Sequence, residues 1–165
     1  MTPPLFFPFA VPPAAGEAIE VAPGIRWIRM PLPFALDHIN LWLLGEGDGV
    51  AIVDSGYGDA PRRELWARHL AATLSGRAPA RIVVTHFHPD HVGNAAWLAA
   101  RFGLPVWMNA AEFLTAHAVR EGHAGHALAD TCALFRSHGV LPDHIAALEA
   151  RGNAYARGVP ELPRS

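Results

Sequence analysis

Lysine is missing from this chain; all thirteen basic residues are arginine. Cysteine is nearly missing as well. With Cys132 alone, an internal disulfide and a zinc–thiolate cluster are both excluded, and the usage fits a reducing, cytoplasmic setting. No apolar run reaches the ~18 residues that a membrane-spanning helix needs. Charge of either sign is scarce. The formal net charge of −2 makes no electrostatic case for nucleic acid or an anionic membrane as partner. The start lacks a basic segment and holds five prolines by Gly16, so it does not read as a signal peptide. Proline fixes φ and removes backbone donors, so residues 1–18 are expected to form an irregular arm.

What the chain does have is apolar residues. A hydrophobic content of 51% supports a packed core and argues against disorder. The length suits a single domain, expected over 19–165. Strands are predicted over 25–30, 38–44 and 50–54 from their β-branched and apolar runs. The glycines of Gly45, Gly47 and Gly49 mark a hairpin turn between the last two. They do not make a phosphate loop, because no helix with a following lysine succeeds them. Pro61 in a first turn, followed by Leu65, Trp66, His69, Leu70 and Leu74, predicts a helix ending near Gly76. A strand over 81–85 and a helix over 92–102 closed by Gly103 follow, then a short strand over 105–108. Residues 110–157 read as helical, broken at Gly122–Gly125 and Gly139–Pro142.

This order fits an α/β arrangement with a mixed sheet and flanking helices. The strands are apolar at both parities: Ile39, Leu41 and Leu43 on one side, Trp42 and Leu44 on the other. A sheet apolar on both faces must be covered on both. The two helices over 60–75 and 92–102 can cover only part of that surface.

The most informative segment follows the apolar run Ile82-Val83-Val84. It reads Thr85-His86-Phe87-His88-Pro89-Asp90-His91. Four good metal donors fall where a buried strand gives way to a loop, a common place for chemistry on a rigid scaffold. His86 and His88 are two apart, so an extended backbone points them the same way. Pro89 then bends the chain and can aim Asp90 and His91 at a neighbouring point. Imidazole nitrogen and carboxylate oxygen suit Zn²⁺, with other divalent metals as alternatives. Three of the ten histidines lie in this run. His123 and His126 are the only other close pair, and Gly122 and Gly125 argue against a helical metal site there. His38, His69, His117 and His144 show no partner pattern and are expected to be structural. His138 is expected at a helix C-terminus, favoured there by the dipole.

His-x-His-x-Asp-His after a buried strand resembles the signature of the metallo-β-lactamase-fold hydrolases, matching at His86, His88, Asp90 and His91. Val53-Asp54-Ser55-Gly56 resembles the family's Asp-x-Gly segment. The resemblance covers residues 20 to 110. It implies an αββα sandwich with one or two metal ions, usually zinc, at one sandwich edge. His86 and His88 would bind the first ion, Asp90 and His91 the second. Asp54 would hydrogen-bond near the ligand loop and hold its geometry. Gly93 would permit close helix packing beside the ions, and Asn94 is expected as a surface amide of that first turn. A metal-activated hydroxide would attack an ester, thioester, lactam or similar bond of a small-molecule substrate. With a single ion, Asp90 would be the catalytic residue, orienting the water or accepting a proton.

The family also carries three further ligands downstream: a histidine, a bridging aspartate and a last histidine. No counterpart of these is found here, and no strand-like run follows Met108. The chain is therefore expected to form the N-terminal half of such a sandwich, with 110–157 placed as a lid. The competing expectation is a truncated, non-catalytic protein that binds metal weakly or self-associates, the latter through an uncovered sheet face.

Overall fold

The computed structural model describes residues 4–74 and 76–164, so positions 1–3 of the expected arm and Ser165 of the expected domain lie outside it. One mixed sheet of six strands runs through the described residues. Its strands, in spatial as well as chain order, are β1 (Ala18–Ala22), β2 (Ile25–Pro31), β3 (His38–Glu46), β4 (Gly49–Val53), β5 (Ala78–Val84) and β6 (Val106–Met108). The first four pair antiparallel; β5 and β6 are added parallel.

The sequence did not predict β1. Its edge pairing with β2 (Ala18 opposite Ile28) is a long-range choice that the weak pattern AIEVA does not announce. Between β3 and β4 the turn is tighter than the glycine-rich stretch suggested. Glu46 pairs with Gly49, leaving a two-residue loop at Gly47 and Asp48.

Parallel neighbours require crossover connections. Helix α1 (Ala60–Thr73) joins β4 to β5, and the short α2 (Pro89–Val92) with α3 (Ala95–Phe102) joins β5 to β6. Asp59 caps α1 by accepting from the Arg62 N–H at 3.1 Å, with Pro61 in the first turn. Gly103, left-handed at φ 66°, ends α3 as its position predicted. Both crossovers pack on the same sheet face. There Ile28, Met30, Leu41, Leu43, Ile52 and Ile82 join Trp66, Val92 and Leu98 in one buried core.

The opposite face carries Trp27, Trp42, Val53, Val83 and Trp107 and stays partly open. Phe9 of the arm stands edge-on to Trp27, ring centroids 6.3 Å apart.

Among the described residues four helices follow: α4 (Ala110–Glu121), α5 (Leu128–Ser137), α6 (Pro142–Arg151) and α7 (Ala154–Gly158). The first two breaks fall where the glycines predicted. A third, at Gly152 and Asn153, was not anticipated, and it turns α7 back toward the sheet. Val159 ends fully buried in the core. No described helix is long and apolar enough to cross a membrane.

Candidate metal centre

The loops after β4 and β5 meet because their strands are parallel neighbours, Val53 beside Val83. In open α/β sheets the carboxyl ends of adjacent strands form the usual crevice for a site. The Asp54 N–H donates to Val83 O at 2.8 Å, carrying the pairing one residue past the strand. Asp54 has a left-handed backbone, φ 61°. Aspartate tolerates that region better than most residues, at a cost on the order of 1 kcal/mol.

This conformation sets the Asp54 carboxylate under the histidine loop. It accepts from the Thr85 N–H at 2.8 Å and from Thr85 Oγ1 at 2.8 and 3.0 Å. It also accepts from His91 Nδ1 at 2.8 Å. The single Thr85 hydroxyl proton goes to Asp54, so Thr85 Oγ1 accepts from His86 Nδ1, 2.9 Å away. Two imidazoles are thereby held through Nδ1. Nε2 of each remains as the lone-pair nitrogen, the form in which neutral histidine binds metal.

His86, His88 and His91 lie together. Ring centroids are 3.8 Å apart for His86 and His91, and 4.7 Å for His86 and His88. Asp90 Oδ2 is 3.5 Å from His91 Nε2. His86, Asp90 and His91 are half-buried and His88 is exposed. Partial burial holds the His86 imidazole below its usual range, with the neighbouring His91 and His88 adding to the effect. Among the described residues no three His, Cys, Asp or Glu side chains are grouped as one ion would require. The chemistry of the donors fits a divalent ion. Their number fits only as pairs, short of the three protein donors a catalytic zinc keeps.

Asn94 is not the surface amide its position suggested. It is fully buried, and its Nδ2 donates to Tyr57 O at 2.6 Å. Ser55, also fully buried, donates through Oγ to His91 O at 2.7 Å and accepts from the Asn94 N–H at 3.1 Å. Trp66 Nε1 donates to Ser55 O at 2.7 Å, tying the loop to α1. A lone polar residue in a loop has no sequence signal of burial, so these roles were not legible. Gly93 does permit a close approach: a Cβ there would lie 2.4 Å from Gly158 O and 2.5 Å from Gly58 N. His123 and His126 sit in the exposed turn between α4 and α5. His138 caps the C-terminus of α5.

The model of the metallo-beta-lactamase superfamily matches residues 35–151. The chain belongs to that superfamily. A beta-lactamase domain protein from Burkholderia ambifaria superposes with a TM-score of 0.79 at 40% identity, over 96% of this chain and 46% of that one. A probable metallo-hydrolase, YybB of Bacillus subtilis (strain 168), is 34% identical over 77 residues, 45% of this chain and 31% of that protein. An atrochrysone carboxyl ACP thioesterase from Passalora fulva is 31% identical over 88 residues, 51% of this chain and 25% of its own length. The chain thus spans a third or less of these curated relatives and about half of the solved structure. The superfamily fold implies metal ions, often zinc, and the relatives' names are those of hydrolases.

Proposed function

We propose that this chain carries the metal-binding half of a zinc-dependent hydrolase acting on an ester-like bond of a small-molecule substrate, with thioesters the first class to test. The observation that carries this reading is the Asp54–Thr85–His86–His91 network. It spends one nitrogen of each of two imidazoles on the protein and leaves the other for an ion. His86 and His88 would hold one ion, Asp90 and His91 a second. When bound, such an ion supplies a Lewis acid that polarises the substrate oxygen and lowers the pKa of water to about 7.

The chain's own residues do the rest. Asp54 keeps the proton on His91 Nδ1 and so sets its tautomer. Asp90 would orient the water or take a proton if only one ion is held. The similarity to an ACP thioesterase supports an acyl thioester, and superfamily membership alone chooses no substrate.

The test is zinc content by equilibrium dialysis, with hydrolysis of thioester, lactam and phosphodiester panels. Zinc binding lost in His88→Ala is expected, with weak turnover because each ion has only two donors here. Undiminished binding in His88→Ala sinks the site.

A second reading rests on a different observation. The open sheet face exposes Trp107 at 57%, at the far end of a row that runs from half-buried Trp27 and Trp42 through Val53 and Val83. Self-association through that face would bury it. Size-exclusion chromatography with a dye for apolar surface tests this, and a compact, dye-negative monomer argues against it.

A further inference from the structure

Between the two ligand histidines His86 and His88 stands Phe87, whose own side chain is no metal donor. Both of its backbone polar groups are nevertheless taken by side chains from far along the chain. The Phe87 N–H donates to Glu112 Oε2 at 3.0 Å, and Tyr155 Oη donates to Phe87 O at 2.6 Å. The Tyr155 ring also lies against the Phe87 ring, centroids 6.1 Å apart and tilted by 33°. Glu112 comes from the first turn of α4 and Tyr155 from α7.

These two helices are tied to each other. Arg120 of α4 donates through Nε to Val159 O at 3.0 Å and also holds Pro160 O. Asn153 Nδ2 donates to Arg120 O at 3.0 Å. One turn beyond Tyr155, Gly158 O accepts from the Gly58 N–H at 2.8 Å, beside the loop that bears Asp54. The brace is therefore anchored at both loops of the site.

We infer that Glu112 and Tyr155 are positioning residues that each hold one of the two peptide planes flanking Phe87 and so set the directions of His86 and His88. This rests on the metal-binding reading above. The Phe87 N–H lies in the 86–87 peptide plane and the Phe87 C=O in the 87–88 plane, so each plane is held against rotation by one long-range hydrogen bond, and the Cα–Cβ directions of His86 and His88 follow those planes. The charged acceptor makes the Glu112 bond the stronger kind. Burial raises the Tyr155 phenol above its usual range, so it stays a donor across the working pH. Nothing in the His-x-His-x-Asp-His spacing specifies either residue, and α4 and α7 gain through them a role in the site.

The full chain titrated with Co²⁺ tests the clamp, with the visible absorption of the bound ion as the readout. Tyr155→Phe removes only the hydroxyl, and Glu112→Ala removes the acceptor. Each is expected to weaken Co²⁺ binding by about tenfold or more, the scale for groups that orient ligands, and to alter the spectrum. Glu112→Gln keeps a carbonyl acceptor and is expected to restore both. Circular dichroism and thermal unfolding of the metal-free proteins separate this from loss of fold, and Tyr155→Phe is expected to melt close to the parent. Unchanged affinity and spectrum in Tyr155→Phe would overturn the clamp, as would a Glu112→Gln protein no better than Glu112→Ala. An unsubstituted chain that gives no Co²⁺ spectrum would overturn the metal-binding reading, and the clamp with it.

Discussion

The two faces of the sheet are made by the same strands, yet they are different environments. On one, Ile28, Leu41, Ile52 and Ile82 are closed to solvent beneath α1 and α3. On the other, tryptophans share the surface with charged and polar side chains. Trp27 Nε1 donates to Asn40 Oδ1 at 2.8 Å, and the Arg81 guanidinium lies 4.2 Å over the Trp107 ring while pairing with Glu46. Apolar residues at alternate positions therefore mean different things on the two sides. On the covered face they are packed by the chain's own helices. On the open face their polar tips and neighbours are satisfied sideways, within the face. The histidine loop lies at the rim where the strands end.

That contrast can be tested in steps, starting with the covered face. Trp66 is fully buried and holds Ser55 O through its indole nitrogen. Trp66→Ala should cost about 3–5 kcal/mol in denaturant unfolding. A loss near zero would show that the core is not where the covered face places it.

The second effect is pH-dependent. His69 is fully buried in α1 beneath the same face, and neither ring nitrogen has a protein partner. Burial lowers its pKa from 6.5 to about 4, with Arg68 contributing in the same direction. The folded value lies below the unfolded one, so the unfolded chain binds the proton first. The neutral His69 contribution is fully present above pH 6.5 and is lost as pH falls toward 4. At 1.36 kcal/mol per unit the loss is roughly 3 kcal/mol. His69→Leu should flatten the acid limb of the stability curve between those values. A curve unchanged by that substitution would mean another group carries the acid sensitivity.

At the rim, Asp54→Ala removes the acceptor shared by Thr85 and His91. Zinc affinity should fall about 10- to 100-fold. Calorimetric titration checks it, and equal affinity would separate Asp54 from the site.

The smallest effect belongs to the open face. Trp107→Ala removes an exposed ring and one cation–π contact, with an expected stability cost below about 1 kcal/mol. If it costs as much as Trp66→Ala, the two faces are equally buried and the comparison fails.

Much of this arrangement could be read from the chain. Five of the six strands, the helix that crosses from β4 to β5 and the Gly103 stop all had local signals: β-branched runs, Pro61, a glycine at a helix end. The grouping of His86, His88, Asp90 and His91 was legible because their spacing is short and follows one strand. Asp54 was legible only through a resembling segment upstream. By contrast β1, Ser55, Asn94, Glu112 and Tyr155 have no local signature. A serine or asparagine in a loop is most often solvated, and Asn94 became a buried strut only because two distant loops closed over it.

What the sequence by itself determined is the set of groups delivered to one loop. Alternation along an extended segment and a bend at a proline act over a few residues, and backbone geometry enforces them wherever the chain goes. What only the tertiary structure decided is how those groups are held. The left-handed turn at Asp54, the grip on Phe87 by residues 25 and 68 positions away, and the contact of Gly93 with Gly158 all depend on the crossover helices and α7 coming back to the same edge. The reason is that a hydrogen bond between residues distant in sequence is worth only about 1 kcal/mol net. It forms where burial of the core has already brought its partners together, so its pattern follows the packing and leaves no local trace in the chain.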